Sequence, residues 1–294
     1  MGVTLLVLLM VGVAAIVAPR KVAKCGLKFK EMCRQVDVVL NLADIVEVDS
    51  PLLRACNRHE KGLNDPELWI AHGGGGHYLN SLEAVQESIR RGFRYVELDL
   101  LTTTDGYLVG GHDWAKVRQS AGFEDISEKA VSKQELLAAR PNWEQTLLFA
   151  ADICRLMEEN PHIILVTDKV QDFELLMREI PYPDRMVVEA FDLYNYLCAL
   201  RSGFRNAAYS VASIDGLLQA RRYNIRGMVL SSALMVNDSR ALKLVKLMHQ
   251  EGCCFLVCGV EFCDNPLFIH QYLGKCISRI YTDGWSPCEV PPVP

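Results

Sequence analysis

No charged side chain precedes Arg20, no stretch is of low complexity, and the cysteines follow no regular disulfide framework in these 294 residues. Each absence excludes something. A net charge of -5 with interspersed signs leaves no basic footprint, which argues against a nucleic-acid partner. Eleven cysteines, an odd count, suit a reducing compartment better than a disulfide scaffold. Cys253, Cys254, Cys258 and Cys263 fall across a predicted buried strand and its turn. They lack paired C-x-x-C knuckles and read as core cysteines rather than zinc ligands. The run Gly73 to Gly76 lacks the Lys and Ser/Thr of a phosphate-binding P-loop.

The missing charge at the start leaves Val3 to Ala18 as an apolar run about the length of a short membrane span. No basic residue precedes it, whereas Arg20, Lys21, Lys24, Lys28 and Lys30 follow. That asymmetry predicts a single-pass N-terminal membrane anchor with the following domain on the cytoplasmic side. The alternative is a cleaved signal, with Ala14-Ala15 or Val17-Ala18 near the cut, and a secreted product. The chain thus divides into an anchor or signal at 1–19, a juxtamembrane linker at 20–67 with one or two short helices, and a domain at 68–294.

What is present in that domain is an alternation of short apolar runs with segments of helical period, the pattern of parallel strands joined by crossover helices. Strands are predicted at Leu68 to Ala71, Tyr95 to Leu101, Ile163 to Thr167, Met186 to Val188, Ala207 to Val211, Gly227 to Ser231, Cys253 to Cys258 and Arg279 to Thr282. Helices are predicted at Ser81 to Arg91, Trp143 to Glu159, Gln171 to Glu179, Leu193 to Ser202, Ile214 to Tyr223, Ser239 to Gln250 and Pro266 to Leu273. Eight such strands imply an α/β fold, a (β/α)8 TIM barrel, with an open doubly wound sheet as the alternative. Leu108 to Gly111 adds a strand in the long loop after the second barrel strand.

The stretch Ile70 to Trp114 concentrates the chemistry. Alternation carries Glu97 and Asp99 to one face of their strand, with Val96 and Leu98 on the other. His72 ends the first strand, His112 follows the second, Asp168-Lys169 ends the third and Asp283 follows the eighth. Active sites of this fold gather at those strand ends. Glu97, Asp99 and Asp168 converging on one mouth form an all-oxygen site for a hard divalent cation. Two histidines beside it supply a proton acceptor and a donor near neutral pH. Surface ion pairs with Arg90, Arg91 or Arg94 are the bland reading of Glu97 and Asp99. An apolar strand, however, has little reason to bury both without a compensating cation or a tight ion pair.

His72, Asn80-Ser81, Glu97-Leu98-Asp99, Thr103-Thr104-Asp105-Gly106 and His112-Asp113 together resemble the glycerophosphodiester phosphodiesterase family. A fainter likeness extends to Asp168-Lys169, Ala190-Phe191-Asp192 and Thr282-Asp283. The resemblance implies one divalent cation, Mg²⁺ or Ca²⁺, held by Glu97, Asp99 and Asp168, with His72 and His112 as the acid/base pair. It implies substrate contacts from Lys169, Gly73 and Asn80. The substrate would be a small phosphodiester, either a glycerophosphodiester or a lysophospholipid, with the membrane reached only through the N-terminal segment. Gly73 stands where the family has Arg, Leu79 where it has Glu, and Asp168 is shorter than the usual Glu. These departures admit another reading, a membrane-tethered, non-catalytic binding protein on a degenerate barrel. Retention of both histidines with Glu97 and Asp99 favours the enzyme.

Overall fold

Strand β1 (Trp69–Ala71) is three residues long, yet it closes the sheet. Its neighbours are β2 (Tyr95–Thr102) on one side and β9 (Arg279–Thr282) on the other, both parallel to it. Between them run β4 (Ile164–Asp168), β5 (Met186–Ala190), β6 (Ala207–Val211), β7 (Gly227–Ser231) and β8 (Cys254–Cys258), parallel throughout. The result, in a computed structural model describing residues 50–54, 65–75, 79–139, 145–259 and 276–284, is a closed barrel of eight parallel strands. The extra strand β3 (Leu108–Gly110) pairs antiparallel with β2.

Helices α2 (Leu82–Arg90), α5 (Ala150–Glu159), α6 (Phe173–Glu179), α7 (Leu193–Arg201), α8 (Ile214–Arg222) and α10 (Ser239–Gln250) match predicted segments. Helix α5 starts at Ala150 rather than Trp143 because the chain just before it is extended, with Leu147 bridging Ser81 and Phe149 bridging Val109. Three short helices are additional: α3 (Trp114–Ser120), α4 (Lys133–Ala138) and α9 (Ser232–Asn237). Their caps Asp113, Ser132 and Ser231 are the local signals, each accepting a hydrogen bond from the first turn. The N-terminal anchor or signal, the helix at 266–273 and Cys263 lie outside the described residues. No described helix is long and apolar enough to cross a membrane.

Alternate residues of each strand point into the barrel. Ile70, Tyr95, Ile164, Val166, Val187, Ala208, Val229, Cys254, Leu256 and Tyr281 form one buried cluster there. Polar groups close the floor. Arg279, fully buried, lies with its guanidinium 4.0 Å from the centre of the Tyr95 ring and donates to the Tyr95 hydroxyl, which donates to Glu67 at 3.1 Å.

Residues 50–54, within the stretch read as linker, also belong to this floor. Ser50 Oγ donates to the Arg205 carbonyl at 2.6 Å and the Leu52 amide donates to Asn206 Oδ1 at 3.0 Å, fixing helix α1 (Pro51–Arg54). Leu53, 1% exposed, then joins the barrel cluster. It lies where Gly227 has no side chain: a Cβ there would meet Leu53 Cδ1 at 2.4 Å. Truncating a buried Leu leaves a cavity, so Leu53→Ala is expected to cost about 3 kcal/mol in urea denaturation. A loss below about 1 kcal/mol would show that the floor closes without it.

Candidate active site

The same alternation that buries Tyr95 carries Glu97 and Asp99 inward above it, and the one that buries Ile164 and Val166 carries Asp168 inward. Register brings them level, with Asp99 opposite Asp168. One carboxylate oxygen from each of Glu97, Asp99 and Asp168 lies within 4.8 Å of the others. Glu97 and Asp99 are 4% and 5% exposed, so surface pairing with Arg90, Arg91 or Arg94 is ruled out. Arg90 instead pairs with Glu87, and Arg94 with Glu67.

Three acids so close cannot all ionise cheaply in a buried site. Burial and the Asp99 charge push the Glu97 carboxyl well up, and burial with the charges of Glu97 and Asp99 does the same to Asp168. Asp99 goes the other way. Burial would raise it, but hydrogen bonds from Asn80 and Lys169 outweigh burial and lower it. Lys169 Nζ lies 3.1 Å from Asp99 Oδ1 and donates to the His112 carbonyl at 2.7 Å. Asp168 Oδ1 is buried with no hydrogen-bond partner among the described residues. A divalent cation among these oxygens would supply the missing partner and relieve the repulsion, so the donor set fits a hard metal.

Two expected substrate contacts are engaged elsewhere. The Gly73 amide donates to Glu97 Oε2 at 2.7 Å, which leaves no free N–H for a phosphate. Asn80, 4% exposed, donates through Nδ2 to Asp99 Oδ2 and accepts the Asp99 amide on Oδ1, both at 2.9 Å. The Asn80 amide in turn donates to the Gly73 carbonyl at 2.6 Å. Gly73 and Asn80 therefore brace Glu97 and Asp99 from behind. Gly73 needs to be glycine for two reasons. Its φ is +57°, and a Cβ would meet Leu79 Cβ at 2.9 Å. The family's Arg does not fit this backbone beside Leu79.

The histidines are oriented alike. His72 Nδ1 lies 2.7 Å from Asp283 Oδ1, and His112 Nδ1 lies 2.9 Å from Asp113 Oδ2. A carboxylate on Nδ1 fixes the tautomer and leaves Nε2 for chemistry. His112 arrives by way of the Thr103–Gly106 turn. Thr103 Oγ1 donates to Asp105 Oδ1 at 2.6 Å and Gly106 takes φ +79°, reversing the chain into β3. Asp113 also caps α3.

Glu189 is a fourth acid that no motif announces. The register of β5 on β4 carries it beside Asp168, and burial together with the Asp99 charge raises its carboxyl to about 7. Its one signal in the sequence is an acid inside the apolar run Met186 to Ala190. Cys253 and Cys254 are buried, and Cys258 is partly buried and packs against the barrel core.

Residues 72–176 match the model of the glycerophosphoryl diester phosphodiesterase family. The matched stretch is 105 of the 294 residues. The match spans both histidines, all three clustered carboxylates and Lys169, and places the chain among phosphoric diester hydrolases. Solved structures share the barrel. A glycerophosphoryl diester phosphodiesterase from Parabacteroides distasonis aligns at TM-score 0.62 with 14% identity, over 85% of this chain and 90% of that one. One from Thermotoga maritima aligns at 0.54 with 18% identity, over 74% and 93%. A phosphodiesterase from Oleispira antarctica, in complex with the product sn-glycerol-3-phosphate, aligns at 0.58 with 15% identity, over 74% and 92%. At these identities the likeness is one of fold. No curated protein matches the chain.

The Asp283 carboxylate raises the His72 imidazole above its usual 6.5, against the opposing effect of burial. In metal-free protein, NMR titration should place the His72 value above 6.5, and Asp283→Asn should lower it. Because the folded value is raised, the stability this pair contributes is present below pH 6.5 and fades as pH rises through the folded value. An unchanged titration in Asp283→Asn would break the assignment. Gly73→Ala should cost about 1 kcal/mol or more, from its positive φ alone, and weaken divalent-cation binding in calorimetry. Wild-type affinity would show that Glu97 does not depend on this loop.

Proposed function

We propose that the chain is a divalent-cation-dependent phosphodiesterase that cleaves a small phosphodiester by paired histidine acid/base catalysis. The observation that carries it is the buried, unpartnered Asp168 oxygen in a triad with the buried Glu97 and Asp99, beside two carboxylate-oriented histidines. Glu97, Asp99 and Asp168 would hold the cation, Mg²⁺ or Ca²⁺. When bound, it supplies Lewis-acid polarisation of a phosphoryl oxygen.

The chain's own residues do the rest. His72, whose imidazolium Asp283 favours, presents a proton on Nε2 to the departing alcohol oxygen as the P–O bond breaks. His112 Nε2 takes the proton of the attacking oxygen, from water or from a substrate hydroxyl, as the new P–O bond forms. Lys169, held at Asp99, adds positive charge near the phosphate. Residue 169 itself sits at φ +63°, an uncommon backbone for Lys, which directs its ammonium back across the mouth.

The test is release of alcohol from glycerophosphodiesters with Mg²⁺, Ca²⁺ or Mn²⁺ supplied in turn to folded protein. His72→Ala and His112→Ala should each lower kcat by on the order of 10² or more. Full activity in either variant removes that histidine from the mechanism. Saturating cation should raise the melting temperature of the wild type. Glu97→Gln should blunt that rise, and a shift equal to wild type would count against the ligand set.

A further inference from the structure

The hydrogen bond to Asp283 does not by itself fix the plane of the His72 ring. The Gly75 amide donates to the His72 carbonyl at 2.8 Å, which anchors the main chain at this position. Two side-chain rotations remain free of that anchor. The contact between Nδ1 and Asp283 Oδ1 constrains one atom of the ring, and the imidazole can still pivot about it. Water also competes for this contact, since the two side chains are 37% and 41% exposed. Aiming Nε2 therefore calls for a second contact away from the pivot.

Strand β9 supplies one. It pairs with β1 so that Tyr281 lies opposite Ile70 and Thr282 opposite Ala71, and one step further along the chain Asp283 reaches His72. Tyr281 meets the same imidazole edge-on, with ring centroids 6.3 Å apart and planes at 75°, the arrangement aromatic pairs favour. It is 6% exposed and belongs to the buried cluster inside the barrel, so it offers a rigid wall where Asp283 offers a solvated bond. His112 is held differently: it makes no such ring contact among the described residues, and the carboxylate on its Nδ1 comes from the next residue in the chain. We infer that Tyr281 is a positioning residue for His72, its ring completing with Asp283 a clamp, built on one strand end, that aims Nε2 at the departing oxygen. This rests on the acid role given to His72 in the phosphodiesterase reading and adds the residue that fixes its direction.

Two measurements on the full chain test it. The first needs no turnover: NMR relaxation of the imidazole carbons reads how firmly the His72 ring is held. Tyr281→Leu should lower the ring order of His72 and leave that of His112 unmoved, whereas Tyr281→Phe, which keeps the ring, should preserve it. Unchanged order in Tyr281→Leu, or an equal loss in Tyr281→Phe, overturns the clamp. Should Tyr281→Leu fail to fold, Asp283→Asn still decides, because the nuclear Overhauser contact between the His72 and Tyr281 rings should survive it. Loss of that contact in Asp283→Asn, or its absence from the wild type, overturns the clamp too. The second measurement is kcat on a glycerophosphodiester, which Tyr281→Leu should lower by about tenfold or more with little change in KM, as misaimed groups do. Adding Asp283→Asn should deepen the loss little beyond the worse single variant, since both act through one imidazole. Fully additive losses would place the effect of Tyr281 in barrel packing and overturn the assignment. A folded wild type that turns over no phosphodiester overturns the enzyme reading, and the ring order then judges the clamp alone.

Discussion

The mutual repulsion of buried carboxylates is the constraint on which the rest of this barrel depends. Glu97, Asp99 and Asp168 face one another across a few ångströms, with Glu189 on the adjoining strand. Their desolvation is costly in any protein interior. The surrounding structure relieves it piecemeal: one N–H for Glu97, a doubly bonded amide and an ammonium for Asp99. Asp168 has one oxygen left without relief. The incompleteness is chemically informative, because a fully satisfied network would have no use for a cation.

The loop after β1 is best understood as scaffolding for those acids. Successive positive-φ glycines, Gly73, Gly74 and Gly75, fold the backbone tightly enough for an amide to reach Glu97 and a carbonyl to receive Asn80. Ser81 then caps α2, bonding the Ala84 amide. Motifs that look catalytic on paper are here divided between reacting groups and supports. The Thr103–Gly106 turn reverses the chain into β3, and Asp105 also receives the Lys133 amide at the start of α4.

All eight barrel strands were legible because each is a bounded apolar run, the shared face of Glu97 and Asp99 followed from period two, and Asp168 was placed by its position at a strand end. The short helices α3, α4 and α9 were not; the local signals they offer are their caps, Asp113, Ser132 and Ser231. Asp283 was visible as an acid at a strand end, but its partnership with His72 joins residues 211 apart and depends on closure of the ring between β1 and β9. Glu189 was hidden in an apolar run with no neighbouring signature. Gly73 was read as a missing arginine; only its contacts with Glu97, Asn80 and Leu79 show a backbone that a side chain would obstruct.

The floor of the barrel bears on the electrostatics of its mouth. Leu53 comes from a helix ahead of the first strand and fills the space beneath the interior cluster, opposite a glycine that makes room for it. It acts as an insulator. With the stopper in place, the medium below the carboxylates is a packed, buried cluster and stays poorly polarisable. Water rising through an open base would screen the acids from one another and weaken the field that makes a cation welcome. The few residues before the first strand thus help to set the electrical character of a site at the opposite end of the barrel.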